Sequence, residues 1–231
     1  MSLLKRLGRI VESSAPLPSR PEGIGIDIGC GAKKHPGTQG LDIVDAPGVD
    51  HVLDFTKERF PFEDESVSFV FSSHCVEHIA DPHHLFKEIT RVAKHGASLE
   101  IWCPYAFHEH AFLPGHVSYW TEAFYRHLSF EYTEVWDEQL GGGWRIDEVI
   151  LVVQPEVERY LRESDVSLDF ATRHLNNVVF EMGVVGFIDK RGGPPRRPRI
   201  VASTGRQERR RPLVGSRIED AAKRLRGLIQ K

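Results

Sequence analysis

The segment GIGIDIGCG, residues 23–31, constrains this chain more than any other. Alternating isoleucines that run into G-x-G describe a buried strand breaking into a tight turn, the opening of a βαβ unit. Glycines at such a turn admit positive φ and let a ligand approach the backbone. A dinucleotide loop would add a third glycine, as G-x-G-x-x-G. Here Gly29 and Gly31 are in place, but Lys34 stands where the third would be. The chain also lacks the G-x-x-x-x-G-K-[ST] pattern of a phosphate-binding loop. Both observations argue against a pyrophosphate site.

Next comes an α/β rhythm. GLDIV (40–44), DHVLDF (50–55) and SVSFVFSSH (66–74) read as strands two to four, and SLEIWCPY (98–105) as the fifth. A helix is expected over about Pro82–Lys94, with Leu85, Ile89 and Val92 on one face. Only about ten residues separate the first two strands, too few for a full helix, so AKKHPGTQ should be a loop or a single turn. Acids recur at strand tips: Asp27 near the first, Asp42 at the second, Asp54 at the third. A carboxylate at the second tip can accept from both ribose hydroxyls. One at the third, followed by apolar Phe55, can accept from an adenine amino group.

Beyond Pro104 the pattern changes. AFHEHAFLPGHVSYW reads as a long loop, TEAFYRHLSF as helical, and YTEVWDEQLGGGWRIDEVILVVQ as two strands around a glycine turn. A helix near 155–174 should lead to a last strand, NVVFEMGVVGFI. From residue 189 on, fourteen Lys/Arg stand against four Asp/Glu, a balance of +10, so the net charge of −3 leaves −13 on residues 1–188. The expected organisation is an N-terminal helix and linker (1–21), a catalytic-type α/β domain (22–188, with a lid or substrate region at about 104–175), and a basic Pro/Arg-rich tail (189–231) carrying a terminal amphipathic helix. No run approaches the roughly 18 apolar residues of a membrane span, and the N-terminus lacks the apolar stretch of a secretion signal. Cys30, Cys75 and Cys103 are too few and scattered for a disulfide framework or thiolate zinc site. A reducing, cytoplasmic setting is expected.

The series GIDIGCG, GLDI, VLDF, FPFEDESVSFVFSSHCVEHI and SLEIWCPY, in that order over residues 22–105, resembles class I S-adenosylmethionine-dependent methyltransferases. It is most similar to the small-molecule, methyltransferase-11-like branch. The resemblance implies a Rossmann-like, mostly parallel sheet of about seven strands with the last antiparallel, here with a shortened first crossover and a lid insertion after strand five. It implies S-adenosyl-L-methionine as cofactor, with Asp27, Gly29, Cys30 and Gly31 near the methionine moiety. It further implies Asp42 with Ile43 at the ribose, Asp54 and Phe55 at the adenine, and Ser73 and His74 bordering the methionyl group and substrate pocket. Ser68-Phe69-Val70 replaces the usual D-x-V of the fourth strand, a departure from the pattern.

Methyl transfer from a sulfonium needs alignment and, for many acceptors, a base. His108, His110 and His116 lie in the loop after strand five, with Tyr105, Tyr119 and Trp120 as candidate pocket walls. Imidazoles are suited to deprotonating a hydroxyl or amine, and His116 and His110 are the leading candidates. Glu77-His78 reads as helix-start packing and hydrogen bonding. His108-x-His110 with His116 and Glu109 could also bind a divalent ion, but irregular loop spacing is commoner in polar pocket groups, so no metal ligand is assigned. The expected reaction is methylation of an O or N atom of a small molecule. Alternatives are an RNA or protein acceptor docked through the basic tail, and a non-catalytic cofactor-binding or regulatory protein. The tail is poor in aromatics and no N/D-P-P-[YF] follows strand four, so nucleic acid is not favoured. No membrane partner is expected; pairing of terminal helices would give a homodimer.

Overall fold

The computed structural model describes residues 23–206 and the backbone of residues 211–212. The expected terminal helices lie outside the described residues.

Nine strands form one sheet: β1 (Ile24–Ile28), β2 (Gln39–Asp42), β3 (His51–Val52), β4 (Val67–Ser73), β5 (Ala93–Pro104), β6 (Gly143–Val153), β7 (Val179–Asp189), β8 (Arg199–Ser203) and β9 (Arg211–Pro212). Their order is β3-β2-β1-β4-β5-β7-β6-β8-β9. β1 to β5 are mutually parallel, and β7 runs antiparallel to both β5 and β6. This is the expected seven-stranded arrangement, extended at one edge. The order reverses at β1, whose neighbours are β2 and β4. Such a switch point opens a crevice beyond the strands' carboxyl ends.

The first crossover contains no helix. Instead Asp27, buried at the end of β1, accepts the backbone N–H of His35 at 2.6 Å, and the N–H groups of Gly29 and Cys30 both reach the Leu41 carbonyl at 2.8 and 3.2 Å. These bonds satisfy a loop too short for helical pairing.

On one face α1 (His83–Val92) buries Leu85, Phe86 and Ile89 against the sheet. Phe86 meets Trp144 of β6 with ring centroids 4.5 Å apart, and the Trp144 indole N–H donates to Thr90 Oγ1 at 2.8 Å. Burying side chains of this size contributes about 1.5–3 kcal/mol each. A second, smaller core of Trp102, Ile150, Val152, Val185 and Val201 fills the opposite face. Gly183 of β7 is required there, since a Cβ would lie 2.3 Å from the Trp102 ring.

Several expectations are corrected. YTEVWDEQLGG is helical, as α3 (Thr133–Leu140), rather than a strand, and only the residues from Gly143 onward join the sheet as β6. Gly141, at φ +75°, ends that helix in a left-handed cap instead of turning a hairpin. The helix expected over 155–174 is two, α4 (Pro155–Glu163) and α5 (Leu168–His174). The expected lid interval is discontinuous, because β6 within it belongs to the sheet. The expected tail boundary at residue 189 also moves. Residues 199–203 pair with β6 as β8 and bury Val201 and Ala202, a short apolar strand hidden in sequence by its Arg/Pro surroundings. TEAFYRHLSF forms α2 (Glu122–Arg126) and a π-helical turn (His127–Glu131).

Candidate active site at the carboxyl edge of the sheet

The tips of β1, β2, β3 and β4 meet at the switch point. After β1 the chain turns through Gly29 (φ +70°) and Gly31 (φ +53°). A Cβ on Gly29 would sit 2.4 Å from that of Cys75, whereas one on Gly31 would meet nothing within 4 Å. The first glycine permits packing; the second faces open space. Asp42, ending β2, accepts the Gly31 N–H through Oδ2 at 2.8 Å and the Val44 N–H through Oδ1 at 3.0 Å. Its position is fixed by backbone, and each oxygen keeps a lone pair. Ile43 and Val44 beside it are 58% and 64% exposed, an apolar ledge next to an acid. Lys34, three residues past Gly31, is committed to Asp50, which also accepts the Gly40 N–H at 2.7 Å.

Asp54 comes after β3 in a turn of its own making. Its Oδ1 accepts from the N–H and hydroxyl of Thr56 at 3.0 and 2.6 Å, and Lys57 lies 2.9 Å from Oδ2. The Thr56 hydroxyl, then Lys57, push its pKa down to about 2. Phe55 is corrected: its ring points into the core against Phe60, so Ile43 and Val44 supply the exposed apolar surface instead.

Beyond β4 a charge cluster assembles from distant segments. His74, at φ +55°, lies 3.2 Å through Nδ1 from Glu77 Oε1 and 2.9 Å through Nε2 from Glu181 Oε1. Glu181, then Glu77, hold the imidazolium up to about 9, so His74 is a cation at neutral pH. Glu181 arrives on β7, whose antiparallel course brings its amino-terminal end to this edge. Burial opposes its charge, but His74 and Arg206 hold its pKa below the usual carboxylate range. Arg206, just past β8, donates to Glu181 Oε2 at 2.9 Å and to Ser73 Oγ at 3.0 Å, and lies over the Trp102 ring at 4.8 Å.

The loop after β5 divides the expected histidine trio. His108 and His110 lie together, ring centroids 4.8 Å apart, both against Phe180. His108 is buried, its Nδ1 accepts the His110 N–H at 3.2 Å, and burial lowers its pKa. That leaves an N–H at Nε2, so His108 is removed as a base. His116 instead meets His78, centroids 4.8 Å apart. The lid is clamped there, since the N–H groups of Val117 and Ser118 donate to the Glu77 carbonyl at 2.8 and 3.2 Å. Glu77 Oε2 and His116 Nδ1 are buried without a hydrogen-bond partner. An unmet buried polar atom costs about 1–3 kcal/mol. Tyr105 and Trp120 are also corrected. Both rings are in the core, and the Tyr105 hydroxyl donates to Glu122 at 2.8 Å. Tyr119, 54% exposed, is the aromatic of the three with an accessible ring.

Residues 42–101 match the family model of the methyltransferase-11 domain, described as a methyltransferase domain. Residues 42–101 therefore carry a methyltransferase-domain match, within a sheet of the class I S-adenosylmethionine-dependent methyltransferase order. Among solved structures it is similar to a chain of the complex between the Haloferax volcanii Trm112 methyltransferase activator and its methyltransferase, at 21% identity, 76% coverage of this chain and 86% of that one, and a TM-score of 0.48. It is also similar to methyltransferases of Archaeoglobus fulgidus (18% identity, 73% and 87% coverage, TM-score 0.48) and Mesorhizobium loti (14%, 74% and 93%, TM-score 0.49). No curated protein matches the sequence. No helix among the described residues is long and apolar enough to cross a membrane.

The residues at this edge fit S-adenosyl-L-methionine as a ligand. Asp42 offers acceptors for a vicinal diol, the Ile43 ledge offers a flat apolar contact, and the space at Gly31 admits a ligand against backbone. Two acids flank the loop, which suits a ligand without phosphates. Sequence reasoning missed Glu181 and Arg206, and gave Glu77 only helix-start packing and hydrogen bonding. Glu77 lies three residues from His74, whereas Glu181 and Arg206 join the site through strand pairing distant in sequence, although the isolated acid in the apolar strand VFEMGVVGF was a readable signal.

Proposed function

We propose that this methyltransferase transfers a methyl group to an O or N atom of a small molecule. The observation that carries this reading is that three arginines in the described part of the basic segment are paired within the molecule. Arg206 bonds to Glu181 and Ser73, Arg199 pairs with Glu148, and Arg196 lies 2.7 Å from Asp147. Arginines paired to the acidic body are not free to neutralise phosphates, which is the main source of nucleic-acid affinity.

S-adenosyl-L-methionine, when bound, supplies both the methyl group and its leaving group. The protein's task is therefore orientation and proton removal. Asp42 and Ile43 hold the ribose and the base, with Asp54 at the base edge. Asp27 fixes the loop in which Gly29, Cys30 and Gly31 meet the methionyl end, beside Ser73 and His74. His74 is already protonated and contributes charge rather than basicity. Proton removal falls to the lid histidines, with His116 ahead of His110 because its buried Nδ1 lacks a partner. Tyr119 is the exposed aromatic for acceptor contact.

Calorimetry with the demethylated cofactor product should show binding in the micromolar range, weakened by added salt much less than phosphate-dominated binding would be. Activity screens should find turnover with small hydroxyl or amine acceptors and none with RNA. Methylation of RNA that falls steeply with salt would overturn the small-molecule reading and leave the cofactor assignment standing.

A further inference from the structure

We propose that Glu77, His78 and His116 form a binding site for one divalent first-row transition ion on the acceptor side of the domain. Each offers one ligand atom, and the three atoms lie within 4.8 Å of one another. An ion sits about 2.1 Å from imidazole nitrogen and carboxylate oxygen, which places the ligand atoms of a tetrahedral site about 3.4 Å apart. Closing the trio by about an ångström is within reach of rotation of the exposed His78 side chain.

Three independent features orient these groups towards an ion. Glu77 is 2% exposed, and while His74 engages Oε1, Oε2 is buried without a hydrogen-bond partner. Such a side chain calls for a cation or a donor. His78 places Nδ1 3.0 Å from the Gly115 carbonyl. That bond requires the proton on Nδ1 and leaves the Nε2 lone pair for a metal, the usual arrangement behind a ligating histidine. His116 presents a buried, unpartnered Nδ1. The parts are held before any ion arrives, because the lid backbone at Val117 and Ser118 bonds to the Glu77 carbonyl, and Ser118 Oγ donates to the Val76 carbonyl at 2.9 Å.

Two imidazoles and one carboxylate select borderline ions such as Zn²⁺, Mn²⁺, Fe²⁺ or Co²⁺ over Mg²⁺ and Ca²⁺, which prefer all-oxygen shells. Three protein ligands leave coordination positions open. The site lies just past the β4 tip, so an acceptor hydroxyl can occupy one of them. Coordination lowers the hydroxyl's pKa, its proton passes to water, and the alkoxide oxygen forms the new bond to the methyl carbon as the carbon–sulfur bond breaks. His116 then serves as a ligand rather than as the base. This use of the ion rests on the methyltransferase reading; the binding itself does not.

The full chain, stripped with chelator, would be titrated with Co²⁺ and Zn²⁺ alone, followed by calorimetry and by the visible absorption of bound Co²⁺. One equivalent should bind at micromolar or tighter affinity, with a spectrum of imidazole and carboxylate ligation. His78→Ala and His116→Ala should each weaken binding at least 10-fold, while His83→Ala and His84→Ala leave it unchanged. His78 is exposed, so its variant keeps the test interpretable if a Glu77→Gln protein fails to fold. Absence of saturable one-equivalent binding, or wild-type affinity in both His78→Ala and His116→Ala, overturns the proposal. Binding of cofactor product is measured separately. Ion binding without product binding would remove the methyltransferase reading and keep the metal site, and the reverse would do the opposite.

Discussion

Gly31 donates its backbone N–H to Asp42 Oδ2 at 2.8 Å, tying the loop after β1 to the acid that ends β2. The same carboxylate accepts from Val44, so one side chain sets both the loop and the ledge. Asp42→Ala should therefore weaken binding of the demethylated cofactor product about 100-fold or more, since a ribose anchor and the loop geometry go together. Asp42→Asn retains one carbonyl acceptor and should lose less. Calorimetry on both variants, with melting curves as a folding control, checks this. Wild-type affinity in Asp42→Ala would remove the acid from the cofactor site.

The two loop glycines should fail differently. Gly29→Ala combines a left-handed backbone with a Cβ 2.6 Å from Cys75 Sγ. Backbone strain of about 1–2 kcal/mol and overpacking of about 1–3 kcal/mol should lower the melting temperature by roughly 5–15 °C. Gly31→Ala meets no neighbour, so only the backbone strain of about 1–2 kcal/mol applies. Its methyl group would instead enter the open space against the loop and reduce affinity for cofactor product by 10-fold or more. Equal loss of stability in both variants would contradict this division of labour.

The contrast between those glycines shows how far sequence carries. GIDIGCG, GLDI and VLDF are contiguous, and their period-2 apolar pattern locates β1, β2 and the acidic tips directly. What sequence hides is contact made by pairing at long range. Glu181 and His74 come within 2.9 Å because β7 runs antiparallel beside β5, a register no local pattern encodes. The three loop histidines misled for the same reason: proximity in sequence suggested one cluster, but the clamp on Glu77 pulls His116 towards His78. α3 was misread because Trp136 and Leu140, four apart, sit before a glycine run that also fits a hairpin.

Glu181 joins His74 and Arg206, two cations far apart in sequence. Glu181→Gln should destabilise the fold by about 1–3 kcal/mol, below the value for a fully buried pair because both cations are partly exposed. Added Arg206→Ala should recover part of that loss by removing one stranded charge. A double-mutant cycle in urea measures the coupling. Strict additivity would mean that the Arg206 contact contributes nothing.

Cys30 reports on the loop without perturbing it. Burial, then the nearby Asp27 and Asp42 carboxylates, push its thiol up to about 11. A raised thiol pKa keeps the proton on through neutral and mildly alkaline pH, so at pH 8 about one molecule in a thousand carries the reactive thiolate. Alkylation of Cys30 in the folded protein should then be about 100-fold slower than in the urea-unfolded chain. It should rise about tenfold per pH unit until the thiol titrates. Asp42→Asn, which removes one of the opposing charges, should shift the pH–rate curve to lower pH. Mass spectrometry of the Cys30 peptide over a pH series tracks all three effects. A folded-state rate at pH 8 equal to the unfolded rate would mean that the loop does not shield the thiol.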